Sequence, residues 1–231
     1  MDAGPMPDTR RDQQFTSAEL RQARAALVAF GARMAEDGLA VGSAGNLSIR
    51  LGDMLLITPS GIDYDQISEP GICVLDAEGH QLDGDGIPSS ECPMHRMIYT
   101  LTGARAVVHT HSRAAVALSA VCEELPAVHY SILRLGGPSV RVAQYQTFGS
   151  EELARSTAAA LDGRHAALLQ NHGAVAYGAS LAEAYHRAQL LEWLADVYWR
   201  AKLFGEPRIL DDAELAAVRE QSRRRYAAGG G

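Results

Sequence analysis

The 231-residue sequence predicts an α/β domain layered around a mixed or antiparallel sheet, on three observations. Segments with helical apolar period are interspersed with short strand-like runs. Their order is not a strict βαβ alternation. Neither a G-x-G-x-x-G following a strand nor a P-loop is present, which argues against a dinucleotide or P-loop fold. The length suits one domain with a sizeable core.

Residues 1–15 are polar and carry Pro5, Pro7 and Arg10-Arg11-Asp12, which predicts a loosely ordered arm before a single domain spanning 16–231. Thr16 and Glu19 have capping-box spacing, and Leu20, Ala23, Leu27, Phe30, Gly31 and Met34 then recur at helical intervals up to Gly38. From Asn46 to Leu75 the period shortens. Leu47–Arg50, Met54–Thr58 and Ile72–Leu75 read as strands separated by Gly-Asp and Pro-Ser-Gly turns. A second helix is expected over about 90–101, a buried strand at Ala106-Val107-Val108-His109 and a helix near 112–122. Strands follow near 127–130, 140–143, 166–170 and 173–176. Further helices are expected from Ser150 to Gly163, from the Ser180-x-x-Glu183 box to about Leu203, and from Asp211 or Asp212 onward.

Composition narrows the function. A formal net charge of −7 excludes a protein whose main partner is nucleic acid, because phosphate neutralisation needs a basic surface. The three cysteines, Cys73, Cys92 and Cys122, are odd in number and far apart, so neither a disulfide framework nor a thiolate zinc cage is indicated. No signal-peptide pattern and no long apolar span is present, so no membrane association is expected and the expected location is cytoplasmic.

His109 and His111 flank Thr110 at the end of an apolar strand, where side chains two apart share a face. His172 ends another apolar run and precedes Gly173, which permits a turn. Three neutral imidazoles suit zinc and leave a fourth position open, as in catalytic sites. A His-x-His pair is equally what two surface or hydrogen-bonded histidines look like, and spacing alone does not make His172 a third ligand. Glu91, in Pro88-Ser89-Ser90-Glu91, has two readings as well. It is either a first-turn carboxylate favoured by the helix dipole, capped by Ser89 or Ser90, or a functional acid/base. Ser43-Ala44-Gly45-Asn46, Thr58-Pro59-Ser60-Gly61 and Ser89-Ser90 offer hydroxyl, amide and backbone N–H donors that suit a phosphate without any cation. Each one separately is also an ordinary turn or cap.

In order, Gly45-Asn46, Ile57-Thr58-Pro59-Ser60-Gly61, Pro88-Ser89-Ser90-Glu91, His109-Thr110-His111 and Gln170-Asn171-His172-Gly173 resemble the motifs of the class II aldolase/adducin family, most of all its fuculose-phosphate aldolases. The resemblance spans about residues 17–226. It implies a three-layer α/β/α domain with a central mixed, largely antiparallel sheet, and a homotetramer with active sites at subunit boundaries. It implies zinc, or another divalent ion such as manganese or cobalt, on His109, His111 and His172, with Glu91 as a fourth ligand before substrate binds and as acid/base afterwards. Phosphate would lie against Ser43, Gly45, Asn46, Ser60, Gly61, Ser89 and Ser90. Tyr130 would be the proton donor to the leaving aldehyde oxygen, although taken bare it reads as a half-buried strand aromatic. Phe148, which could equally be core, and Tyr226, one residue out of register, would shape the aldehyde pocket. Ser43 and Ser60 stand where the fuculose enzymes have threonines, and Asn171 where they have a histidine. The arm has no clear counterpart.

The activity implied is zinc-dependent, reversible retro-aldol cleavage of a ketose 1-phosphate, L-fuculose 1-phosphate or similar, to dihydroxyacetone phosphate and an aldehyde. A Schiff-base route is disfavoured because the only lysine, Lys202, lies far from every motif. The epimerases of the family carry an Asp in the segment that here reads His129-Tyr130-Ser131, while its dehydratases and decarboxylases reuse the same metal chemistry. An adducin-like interaction module would have lost the metal histidines, and all three are present.

Overall fold

A computed structural model of the chain describes residues 16–228, so the arm expected at 1–15 lies outside the described residues. Helix α1 (Ser17–Glu36) opens on the expected capping box: Thr16 Oγ accepts from the Glu19 amide, and the Glu19 carboxylate accepts from the Thr16 amide. Strands β1 (Asn46–Leu51), β2 (Met54–Ile57), β3 (Cys73–Leu75) and β4 (Gln81–Asp83) follow as a meander, then α2 (Cys92–Leu101), β5 (Ala106–Thr110) and α3 (Arg113–Ser119). The second half comprises β6 (Glu124–Leu125), β7 (Val140–Ala143), α4 (Glu151–Ala160), β8 (Ala166–Leu169), β9 (Gly173–Gly178), α5 (Leu181–Phe204) and α6 (Asp212–Ala228).

The strands form one nine-stranded sheet in the order β4-β3-β2-β1-β5-β9-β8-β7-β6. Every pairing is antiparallel except β7 with β8, so the sheet is mixed and largely antiparallel, as expected. Strand alternation sorts the core into two layers. Leu56, Val74, Ala106, Val108, Leu168 and Ala176 pack with Leu27 of α1, Leu118 of α3 and Leu191 of α5. Their neighbours Ile57, Cys73, Val107, Ala167 and Val175 pack with Ile98 of α2 and Ala154 of α4. Helices therefore cover both faces, and truncating a fully buried residue such as Ile98 to alanine costs about 2–5 kcal/mol.

One expected strand is absent and one unexpected strand is present. The strand predicted near 127–130 is absent: β6 ends at Leu125, and Tyr130–Leu135 is a 3-10 turn closed by Gly136 in the left-handed region. Pro126 breaks the strand-like run there, and His129 accepts from the Ser131 amide to start the turn. Strand β4 carried no signal because all three residues are exposed at the sheet edge. Among the described residues no helix is long and apolar enough to cross a membrane.

Candidate metal centre and phosphate cleft

Strand β5 carries His109 and leads directly into His111; their rings lie edge to face with centroids 4.8 Å apart. His172 comes from the hairpin joining β8 to β9, where Leu169 pairs with Gly173 and Gln170-Asn171-His172 forms the turn. Asn171 sits at φ 54, in the left-handed region that asparagine tolerates better than most side chains, which accounts for its presence beside the ligand. A Cβ on Gly173 would collide with the Thr110 carbonyl oxygen, so glycine is what lets this hairpin close onto the end of β5. The His172 ring is 4.9 Å from that of His109 and 4.8 Å from that of His111.

Glu91 immediately precedes α2, yet its side chain makes no capping hydrogen bond, contrary to the plain reading of a first-turn carboxylate. The carboxylate instead faces the histidines: Oε2 is 2.8 Å from His109 Nε2, and Oε1 is 3.3 Å from His172 Nε2. The ligating atoms of Glu91, His109, His111 and His172 all lie within 4.8 Å of one another.

The donor set fits a divalent cation. His109 Nδ1 lies 2.9 Å from the Ala174 carbonyl oxygen; an Nδ1–H donated there leaves the Nε2 lone pair aimed at the centre. His109 Nε2 and His111 Nε2 face each other at 3.0 Å, an arrangement that two lone pairs tolerate only around a cation or a proton. Glu91 Oε1 is buried without a hydrogen-bond partner. Burial alone would raise the Glu91 carboxyl, but His109, then His172 and the Asn46 amide outweigh it and hold the group well below the usual carboxylate range. Burial disfavours a charged His109, yet the adjacent Glu91 carboxylate and the Ala174 carbonyl overcome that and push its pKa up. Burial, reinforced by His109, pushes His111 down to about 3 and His172 to about 4, which keeps both in the neutral, metal-ligating form.

The three donor-rich segments converge beside this centre. The Ser60 amide donates to the Ile87 carbonyl at 2.8 Å, and Pro59 bridges Pro88, which draws the 58–61 turn against the segment ahead of α2. Gly45, at φ 80, lies so close to β5 that an added Cβ would meet the His109 carbonyl oxygen at 2.6 Å. Ser43, Gly45 and Asn46 thereby share one cleft with Ser60, Gly61, Ser89 and Ser90. Glu91, His111 and His172 line it too, and among the described residues no lysine or arginine does.

Behind the cleft runs a buried polar network that the sequence reading missed. Asn46 Nδ2 donates to Ser89 Oγ at 3.0 Å and to Glu91 Oε2 at 3.1 Å. Its Oδ1 is 2.5 Å from His95 Nε2, and His95 Nδ1 is 2.6 Å from Ser48 Oγ. Ser48 Oγ is in turn 2.7 Å from the Tyr99 hydroxyl. The signal was available in the spacing: residues 46 and 48 share a strand face, and 91, 95 and 99 share a helix face.

The aromatic positions divide. Phe148 lines the cleft and is 67% exposed, so it is not core. Tyr130 is 52% exposed, not half-buried in a strand, and lies in a separate groove between its 3-10 turn and α6. Its ring stacks on His129, with centroids 4.3 Å apart. Tyr226 falls within α6, and its side chain lies outside the described residues.

Fold and centre together define a metal-dependent lyase. The chain belongs to the class II aldolase and adducin family: the model described as Class II Aldolase and Adducin N-terminal domain matches residues 25–199. It is 42% identical over 185 residues to a 5-methylthioribulose-1-phosphate/5-deoxyribulose-1-phosphate aldolase of Rhodospirillum rubrum, covering 80% of this chain and 83% of that one. It is 40% identical over 186 residues to the L-fuculose phosphate aldolase of Escherichia coli, covering 80% and 86%. A solved L-fuculose 1-phosphate aldolase superposes with a TM-score of 0.84 at 38% identity, over 91% of this chain and 99% of that one.

Proposed function

We propose that the protein catalyses reversible retro-aldol cleavage of a ketose 1-phosphate to dihydroxyacetone phosphate and an aldehyde. The observation that carries this reading is the pairing of one buried carboxylate, set against His109 and His172, with a cleft lined by serine, glycine and asparagine. His109, His111 and His172 hold the divalent ion, and zinc suits three imidazoles best. When bound, the ion supplies Lewis-acid polarisation of the ketose carbonyl, with its charge undiminished by neutral ligands.

Ser43, Gly45, Asn46, Ser60, Gly61, Ser89 and Ser90 bind the phosphate through hydroxyl, amide and backbone N–H donors. This orients the sugar with its carbonyl toward the histidines and its C3 toward Glu91. As the C3–C4 bond breaks, the C4 hydroxyl gives up its proton and C3 gains one. Glu91, ionised, removes the C3 proton in the condensation direction; in cleavage the same carboxyl takes up a proton from solvent and returns it to C3, offsetting the one released from the C4 hydroxyl. Tyr130 handles the proton on the C4 oxygen. Because it lies outside the cleft of its own chain, it acts on the cleft of a neighbouring copy, which fits a homotetramer with shared sites. Phe148 flanks the aldehyde, and Tyr226 of a neighbour closes the same pocket. The substrate is L-fuculose 1-phosphate or a similar ketose 1-phosphate, and the expected location is the cytoplasm.

The test is product analysis after incubating the metal-loaded protein with ketose 1-phosphates and 5-phosphates, including those of fuculose, 5-deoxyribulose and 5-methylthioribulose. Dihydroxyacetone phosphate plus an aldehyde supports the reading. An epimerised or decarboxylated sugar phosphate without cleavage overturns it.

A further inference from the structure

The Tyr99–Ser48–His95–Asn46 network has only one arrangement of hydrogens that uses every group. Glu91 is an ionised acceptor, so the Asn46 NH₂ must face it and Oδ1 must face His95. Oδ1 cannot donate, so the hydrogen on His95 sits on Nε2. The neutral ring then has a bare Nδ1, and the Ser48 hydroxyl must donate to it. With its one hydrogen committed, Ser48 accepts from the Tyr99 hydroxyl. Running the chain the other way would set Asn46 Oδ1 against the Glu91 carboxylate. It would also leave the Tyr99 hydrogen without a side-chain acceptor among the described residues.

All the members are deeply buried: Ser48 and His95 are 0% exposed, Asn46 4% and Tyr99 6%. Water therefore does not compete for these bonds, and leaving one unmade is costly. The far end of the chain has two outlets. Asn46 donates to Glu91 Oε2, and it donates to Ser89 Oγ, which also accepts from the Glu91 amide at 3.3 Å. With both contacts donating to Ser89 Oγ, the serine's own hydrogen is left to point into the cleft.

We propose that His95, wedged between Ser48 and Asn46, is a positioning residue that locks the Asn46 amide in one orientation, so that Glu91 is held for proton transfer and Ser89 is left as a donor to phosphate. The second half of that statement rests on the aldolase reading; the first half concerns the chain alone. His95 itself touches neither ligand nor reacting atom. A residue that fixes the partners of an active group typically changes activity or metal affinity by about 10- to 100-fold when lost.

The direct readout is the ¹⁵N spectrum of the histidine rings in the full-length zinc-loaded protein, with the His95 signals assigned by their loss in His95→Gln. The expected result is a neutral ring bearing hydrogen on Nε2. In Ser48→Ala, a milder change that leaves the ring in place, Asn46 Oδ1 still holds the hydrogen on Nε2 while Nδ1 loses its donor, so the same tautomer is expected with a shifted Nδ1 signal. Hydrogen exchange at dihydroxyacetone phosphate should fall about tenfold or more in His95→Leu with zinc content unchanged, and less in Ser48→Ala. His95→Gln, whose amide still donates to Asn46, should recover most of the rate. A wild-type ring protonated on Nδ1 overturns the proposal, as does full exchange in His95→Leu or equal losses in His95→Leu and His95→Gln. If the protein proves not to act on dihydroxyacetone phosphate, the tautomer measurement still decides the positioning role, so the two failures are distinguishable.

Discussion

Glu91 and Tyr130 were both expected to handle protons, yet their surroundings are opposite. Glu91 is 5% exposed, held by Asn46 and set against two histidines. Tyr130 is 52% exposed and rests on one side against His129, away from the cleft. A group that works inside its own chain is immobilised by its own fold. A group that works on a neighbour has to stay at the surface, where only assembly can immobilise it. The contrast separates what one chain completes from what an oligomer would complete.

The most severe way to break the buried side is His109→Ala, which removes the fully buried ring of the histidine cluster. Metal content and cleavage are both expected to fall to background, measured by metal analysis and product assay. Retained stoichiometric metal would move the centre elsewhere. Glu91→Gln should keep the metal but slow hydrogen exchange at dihydroxyacetone phosphate by about 10²- to 10⁴-fold, the usual range for losing a positioned acid/base. Tyr130→Phe should slow carbon–carbon cleavage by about 100-fold while exchange continues, because the two proton transfers involve different groups. Equal loss of both steps would merge the two regions that the structure keeps apart.

The pH dependence is smaller and concerns the metal-free protein. His95 and His111 are pushed down to about 3 and His172 to about 4, by burial first, from an ordinary value near 6.5. Below pH 6.5 the unfolded chain takes up protons at these positions and the folded chain does not, so stability falls with pH through the window from about 6.5 down to about 4 for His172 and about 3 for His95 and His111. The raised pKa of His109 works the other way, favouring the fold below pH 6.5 and losing that contribution as pH rises through its folded value. With three rings against one, Tm of the chelated protein should drop by several degrees, roughly 4–8 °C per kcal/mol for a small domain and less for this length. Loaded protein should resist this until the ion dissociates. Smallest of all is Phe148→Ala, expected to raise KM for the sugar by about tenfold with kcat nearly unchanged, the effect of an apolar pocket wall.

Much of the fold was legible because its signals are local. The Thr16–Glu19 box starts α1, and the apolar runs at 54–57, 106–110 and 166–169 are strands. The segment at 127–130 misled because strand-like residue types stand there without the register that would pair them. Strand β4 is exposed on every residue and offered no pattern at all. At the site, the three histidines, Glu91 and the serine-rich turns could be named in advance because their ordered set of motifs resembles a known family; strand spacing alone suggested only that His109 and His111 share a face. For His95 the spacing showed only a helix face shared with Glu91 and Tyr99; its role depends on β1 lying against α2, a contact between residue pairs that stand 47 and 49 positions apart.

The sequence by itself determined the donor chemistry: three imidazoles, one carboxylate, and loops of serine, glycine and asparagine with no cation among them. Only the tertiary structure decided how these groups are oriented. The Ala174 carbonyl sets which nitrogen of His109 faces the centre, and the buried chain from Tyr99 sets which way the Asn46 amide points. Residue types fix what can donate and accept, whereas direction is set by neighbours that the chain brings together from distant positions. Burial then makes that direction matter, because in a dry interior a mismatched donor or acceptor has no water to turn to.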